Sequence, residues 1–263
     1  MNYDYKVDIT QKNNAHTQCI NLIKSSSMVL DLGCAVGAIG EYLNKSKNCM
    51  VIGVDYLEEF VNIAKSKECY SEVHQLDLNN EISKLEKYKG CFDFILAADV
   101  IEHLYNPQKF LEGILPLLKD SGSIVLSIPN IAHASIKLNL MQNKFDYTSM
   151  GLLDNTHIRF FTRKSIIELC NSTGLQIKEC EFVYAPYSTY YENVDIYKFS
   201  PLILKHIAKS DESFVYQYVL CLQKGDITNN ENKLIPDHTE CNNYKKIKLL
   251  KHAKRYFKNI WLK

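Results

Sequence analysis

Apolar positions in this chain come in short runs, and stretches with helical spacing or polar turns separate them. Residues 15–25 suit a short helix, followed by an apolar run that ends in Asp31. Met50–Asp55 reads as a strand and Tyr56–Lys65 as a helix, with a short strand over Val73–Asp77. Phe92–Ala97 is a fourth strand, with a helix near Pro107–Leu118. Ser123–Ile128 is a fifth strand, ended by Pro129. Strands alternating with helices predict a parallel sheet covered on both faces. Thr162 is placed to cap a helix over 163–172, and Gly174 to stop it. Leu175–Val183 and Phe214–Leu222 alternate as the last strands and fit an antiparallel edge, with residues 184–213 inserted between them as a small substrate cap.

Length and composition narrow the reading. A chain of 263 residues with 46% apolar content supports one α/β domain, here 15–225, plus additions. The additions are an N-terminal arm over 1–14 and a linker with a C-terminal helix over 226–263. Net charge is only +1, yet residues 226–263 hold nine Lys/Arg against four Asp/Glu. The body is therefore mildly acidic and offers no track for a phosphate backbone, so nucleic acid is not an expected partner. The nine cysteines are scattered without a C-x-x-C pair, as reduced thiols inside a cell are. No signal peptide opens the chain and no apolar run approaches 18 residues, so a cytoplasmic protein is expected.

The chemistry begins at residues 29–40, Val-Leu-Asp-Leu-Gly-Cys-Ala-Val-Gly-Ala-Ile-Gly. A strand enters a turn poor in side chains, which then opens a helix. Such a turn lets backbone N–H groups approach a ligand closely. A dinucleotide fingerprint from Gly33 would need glycine at 35 and 38, where alanines stand. The pattern is D-x-G-x-x-x-G, whose carboxylate repels a pyrophosphate and suits a cationic amino-acid tail. Asp55 closes the second strand 22 residues after Gly33, where a carboxylate accepts from ribose hydroxyls or caps the next helix.

Over roughly residues 13–183 the chain resembles class I S-adenosylmethionine-dependent methyltransferases, whose first motif is the same acidic-x-Gly-x-x-x-Gly. The resemblance implies a Rossmann-like, doubly wound, mostly parallel seven-stranded sheet with an antiparallel edge. It implies S-adenosylmethionine as cofactor and S-adenosylhomocysteine as product. Gly33, Ala35 and Gly37 would line the methionine portion, with Asp31 near its amino group. Asp77 would bind the adenine amino group or simply hold its turn. Leu78 and Tyr56 would flank the adenine or ribose, and Ala97 and Ala98 would pass behind the sulfonium.

Methyl transfer from a sulfonium needs an aligned nucleophile and a group to take its proton. Asp99-Val-Ile-Glu102-His103 follows the fourth strand, and if helical would place 99, 102 and 103 on one face. Asp99 and His103 are the catalytic candidates there, His103 either as a base or as an ordering residue, with His157 a third from the later segment. Asn130 and His133 follow the fifth strand, and Leu153-Asp154-Asn-Thr-His157-Ile-Arg159-Phe-Phe-Thr follows soon after. This segment, together with Asn13-Asn14-Ala15-His16, is similar to methyltransferases found with bacterial surface-polysaccharide genes. His157, Asp154, Arg159, Asn130 and His133 are the expected acceptor-side residues, Asp154 and Arg159 being alternatively an ion pair. Asp99, Glu102, His103 and His157 also form a possible divalent-metal set, similar to the Glu-x-x-Glu-His plus later His of small-RNA 2′-O-methyltransferases.

Five tyrosines between 184 and 197 suit sugar stacking, a covering loop or a dimer contact. Residues 244–263 hold eight Lys/Arg and no acid, with apolar residues at near-helical spacing. That pattern predicts a basic helix on a membrane face or docked on its own domain or a second copy, making a homodimer. The combined expectation is a cytoplasmic O-methyltransferase, placed at the inner membrane face if the tail binds lipid. Its acceptor would be a sugar or sugar-linked glycan precursor, or another small hydroxylated or phosphorylated metabolite. The rival is a non-catalytic cofactor-binding subunit.

Overall fold

In the computed structural model, which describes residues 7–245, the anticipated alternation of strands and helices is present. The order is α1 (Ala15–Leu22), β1 (Met28–Leu32), α2 (Ala38–Lys47), β2 (Met50–Asp55), α3 (Glu58–Ser66), β3 (Glu72–Gln75) and β4 (Phe92–Ala98). Then come α4 (Pro107–Ile114), β5 (Leu118–Pro129), α5 (Ala134–Leu140), α6 (Arg163–Ser172), β6 (Leu175–Tyr184), α7 (Pro201–Ile207), β7 (Val215–Lys224), α8 (Asn230–Lys233) and α9 (His238–Lys245).

The seven strands form one sheet in the order β3-β2-β1-β4-β5-β7-β6. The first five pair in parallel, and β7 pairs antiparallel with both β5 and β6. The antiparallel pairing therefore lies at one edge, with the reversed strand slotted inside β6. Strand order reverses direction between β1 and β4, so the carboxyl ends of these two strands flank the crevice where open α/β sheets bind ligands.

Burial follows the apolar runs. Leu30, Leu32, Phe92, Ile95, Leu96, Ile124 and Leu126 of the central strands are at most 1% exposed. Each such side chain contributes about 2 kcal/mol relative to water. Helix starts are set by local chemistry. Asn14 accepts from the Thr17 N–H, Asn106 caps α4 ahead of Pro107, and Thr162 with Ser165 forms a reciprocal cap on α6. Helix α4 stops earlier than expected, because Pro116 forces a 3-10 turn over Leu115–Leu117.

Two segments are better anchored than their sequences suggest. Residues 7–14 are not a loose arm: Asn13 donates to the Tyr184 carbonyl at 2.9 Å and accepts the Tyr184 N–H at 2.8 Å, extending the β6 edge. Residues 226–245 are not a linker. Asn230 is 1% exposed, accepts the Ile177 N–H at 2.8 Å and donates to the Leu175 carbonyl and the Asn171 side chain. Leu234 and Cys241 are completely buried. The remaining basic tail, 246–263, lies outside the described residues.

Candidate active site

The turn after β1 is built for close approach. Gly33, Ala35 and Gly37 all have positive φ, at 74°, 45° and 80°. A Cβ at Gly33 would stand 2.7 Å from a methyl of Val100, so only glycine lets the turn lie against that residue. Asp55, at the end of β2, holds the turn open: its carboxylate accepts from Ala35 N–H at 2.8 Å and from Leu57 N–H at 3.0 Å. A carboxylate has about four acceptor positions, so these two bonds leave capacity for further donors such as hydroxyls.

Asp31 is 3% exposed and accepts from the Tyr70 hydroxyl at 2.8 Å. Burial, aided by the charge of Asp55, pushes its carboxyl up to about 6, and the Tyr70 bond offsets part of that rise. A bound cation would relieve this penalty, so the donor set fits the ammonium and sulfonium of S-adenosylmethionine. Tyr70 escaped the sequence reading. Its ring occupies space that Gly37 and Gly40 leave clear, and a Cβ at either position would collide with it. Further along the rim, Asp77 accepts from Asn79 N–H and Asn80, which holds its carboxyl below the usual range. Leu78 is buried beside it, and Tyr56 is 67% exposed at the mouth. Ala98 ends β4, paired with Ser127 of β5.

Val100 links this rim to the second constellation. Immediately after it, Ile101–His103 makes a single 3-10 turn, so the one-face arrangement of a helix over 99–103 does not form. Glu102, His103 and His157 converge: one ligating atom from each lies within 4.8 Å of the others. The two imidazoles meet edge to face with centroids 4.9 Å apart. His103 Nδ1 contacts the Thr156 carbonyl at 3.1 Å and His157 Nδ1 contacts the Leu152 carbonyl at 3.3 Å. A carbonyl only accepts, so each Nδ1 carries a proton, and a ring that is neutral keeps its lone pair on Nε2. His157 Nε2 stands 3.9 Å from Glu102 Oε1. Burial, then the neighbouring His103, lowers the His157 pKa and keeps the ring neutral.

Glu102 is 1% exposed, and neither carboxylate oxygen has a hydrogen-bond partner. Burial, reinforced by Asp99, drives its pKa well above the ordinary value. An orphaned buried carboxyl between two imidazole lone pairs is a donor set that fits a divalent cation.

Asp99 does not join this group. Its φ of 54° turns the side chain away, toward Ser127 Oγ at 2.6 Å, Gln217 Nε2 at 2.8 Å and His16 Nε2 at 3.7 Å. Burial alone would raise its pKa, but His16 and Ser127 outweigh burial and hold it low. Of the four residues that offered a possible metal set, only Glu102, His103 and His157 converge. His16, from the 13–16 segment, is the unforeseen member of the Asp99 group.

The expected acceptor-side residues divide. Asn130 is fully buried and donates to the Glu212 and Val215 carbonyls. His133 is also fully buried, capping α5 through Nδ1 while Nε2 meets the Ala185 carbonyl. Burial lowers its pKa to about 4. Both side chains are spent on backbone groups in the interior, which argues against the acceptor-side role expected of them. Asp154 folds onto the Thr156 N–H and hydroxyl, and Arg159 donates to the Tyr105 carbonyl, so these two residues shape the loop instead of pairing with each other. Tyr184, at the end of β6, and Tyr187 in the cap are core residues, while Tyr190 is 91% and Tyr191 37% exposed.

Among the described residues no helix is long and apolar enough to cross a membrane. A family profile described as "Methyltransferase domain" matches residues 11–179. The ubiquinone biosynthesis O-methyltransferase of Rattus norvegicus is 26% identical over 175 residues, 64% of this chain and 50% of that protein. The protein of the same name from Coxiella burnetii is 26% identical over 152 residues, 57% of this chain and 63% of its own length. The chain thus spans between about half and just under two thirds of these relatives, whose names concern ubiquinone and not glycans. A SAM-dependent methyltransferase from Archaeoglobus fulgidus superposes with a TM-score of 0.59 at 19% identity, covering 82% of this chain and 95% of the other, a likeness of fold. With the matched profile covering well over half of its length, this chain belongs to the methyltransferase-domain family and carries the fold of S-adenosylmethionine-dependent methyltransferases.

Proposed function

We propose that the protein transfers a methyl group from S-adenosylmethionine to a hydroxyl of a small acceptor, which would be a sugar or sugar-linked group of a glycan precursor. The observation that carries this reading is the Glu102–His103–His157 cluster beside the Gly33 turn, across Val100. The buried Asp31, with Asp55 and Asp77, would hold the cationic cofactor. His157 Nε2, neutral at pH 7, would take the acceptor proton as the oxygen attacks the methyl group, and His103 would share that role. The names of the relatives support oxygen as the methylated atom. The exposed Tyr190 and Tyr191, beside the His157 loop, suit the face of a sugar ring.

A second reading rests on the orphaned Glu102 oxygens. Glu102, His103 and His157 would hold a divalent cation, which when bound would polarise the acceptor hydroxyl and lower its pKa. The histidines would then serve as ligands instead of bases. The basic tail would bring the protein to an anionic surface carrying such acceptors, or join two copies.

Turnover with labelled S-adenosylmethionine, against nucleotide sugars, glycan precursors and small phenols, tests the function. His157→Ala should cut turnover about 10²–10⁴-fold while cofactor affinity holds. Chelation leaves the base reading untouched and abolishes activity in the metal reading. Full activity in both His103→Ala and His157→Ala refutes both. Turnover on phenols alone refutes the sugar acceptor.

A further inference from the structure

We propose that Glu192 is a positioning residue for His157 and that it ties the cap to the catalytic loop. The proposal rests on the reading above in which the His157 Nε2 lone pair does the work. Glu192 sits between exposed neighbours, Tyr191 and Asn193, yet is itself 3% exposed. A carboxylate withdrawn from water is costly unless donors surround it. Three donors do. The Leu152 N–H reaches Oε1 at 2.6 Å, the Tyr216 hydroxyl reaches Oε2 at 2.9 Å, and the Thr189 hydroxyl also donates to Oε2. A tight turn sets the side chain in place, with Glu192 N–H on Thr189 Oγ1 at 2.9 Å and Thr189 N–H on the Glu192 carbonyl at 3.2 Å.

The contact with Leu152 requires glycine before it. Gly151 has a φ of 95°, and a Cβ there would collide with Glu192 Oε1. Leu152 is then gripped at both ends. Its N–H is fixed by Glu192, and its carbonyl receives the Nδ1 proton of His157. That arrangement keeps the proton on Nδ1 and aims Nε2 at Glu102. Without Glu192, Leu152 is free to turn, and neither the tautomer nor the ring orientation of His157 is specified. The same carboxylate joins three parts of the chain: the cap through Thr189, β7 through Tyr216 and the 151–157 loop through Leu152.

The test uses the full chain labelled with ¹⁵N-histidine. In wild type the His157 pattern should be that of a neutral ring protonated at Nδ1. Glu192→Ala should move it toward a mixture of tautomers and lower kcat about 10–100-fold, as displaced catalytic groups do. The cofactor Kd should stay within about twofold, since Asp31 and Asp55 are untouched. Glu192→Gln keeps an acceptor for the Leu152 N–H and should restore both the ¹⁵N pattern and most of kcat. A purely structural clip would leave the tautomer unchanged.

A wild-type ¹⁵N pattern and unchanged kcat in Glu192→Ala overturn the proposal. If Glu192→Ala does not fold, Gly151→Ala, which pushes the carboxylate off Leu152, must give the same tautomer shift, and a native pattern there overturns it. Failure of the underlying reading is separate: full turnover in His157→Ala removes the catalytic role, while the ¹⁵N pattern still reports whether Glu192 orients the ring.

Discussion

Replacing Asp31 with asparagine should make the ligand-free protein more stable while weakening its hold on the cofactor. Asp31 is buried at the end of β1, and its carboxyl titrates at about 6 instead of 3.8. At about 1.4 kcal/mol per pH unit, ionising it in the folded chain costs roughly 3 kcal/mol more than in the unfolded chain. The sign follows from proton counts. Between pH 4 and 6 the unfolded chain has released this proton and the folded chain keeps it, so stability falls as pH rises through that window and stays reduced above it. The asparagine amide carries no charge and still offers an oxygen to Tyr70, although a neutral acceptor is weaker by about 1 kcal/mol. The net expectation for Asp31→Asn is a gain of about 2 kcal/mol above pH 6, disappearing below pH 4. Urea denaturation of both proteins at pH 4, 5, 6 and 7.5 reads this directly. Calorimetry at pH 7.5 should show S-adenosylmethionine binding weakened by about tenfold, because a charge-assisted contact is lost. A variant less stable than wild type at pH 7.5, or a gain that ignores pH, would refute the reasoning.

Two further outcomes are expected. Asp55→Ala releases the Ala35 N–H and, if Asp55 holds the ribose as proposed, the ribose hydroxyls too, so cofactor binding should fall by about 2–3 kcal/mol in calorimetry, and NAD should bind neither protein. Truncation after Gly225 removes Asn230, Leu234 and Cys241 from the core and should lower stability by several kcal/mol, roughly 3 or more, in thermal denaturation. A truncated chain with an unchanged melting temperature would show that α8 and α9 only decorate the sheet.

The sheet was legible because its signal is repeated. Met50–Asp55 matched to the residue because its apolar run is nearly continuous, and Thr162 and Gly174 bounded α6 as read because a cap and a left-handed terminus act together there. The glycine turn was legible because few sequences place so little side chain between an acidic strand end and a helix. The Glu102–His103–His157 cluster was only partly legible. Spacing paired Glu102 with His103 and the resemblance brought in His157, yet together they also enlisted Asp99, whose positive φ no residue pattern announces. Asn130 and His133 stand where acceptor-binding residues were expected, but a chain leaving a central strand exposes backbone groups that must be met, and these side chains meet them. Tyr70 was hidden because its role depends on distant residues that leave space for it. Glu192 was hidden because acids inside a polar insertion look like solvent-facing charges.

Cys34 gives the cofactor turn a built-in clock. Its thiol is 6% exposed, and burial, with Asp31 and Asp55 nearby, pushes it far above the usual thiol range. Folded protein therefore offers a thiol reagent almost nothing at this position, and modification waits for the turn to lift from β2. The modification rate of Cys34 thus counts how often the turn opens. A ligand seated on the turn should slow that count in proportion to its occupancy, whether or not any acceptor is known.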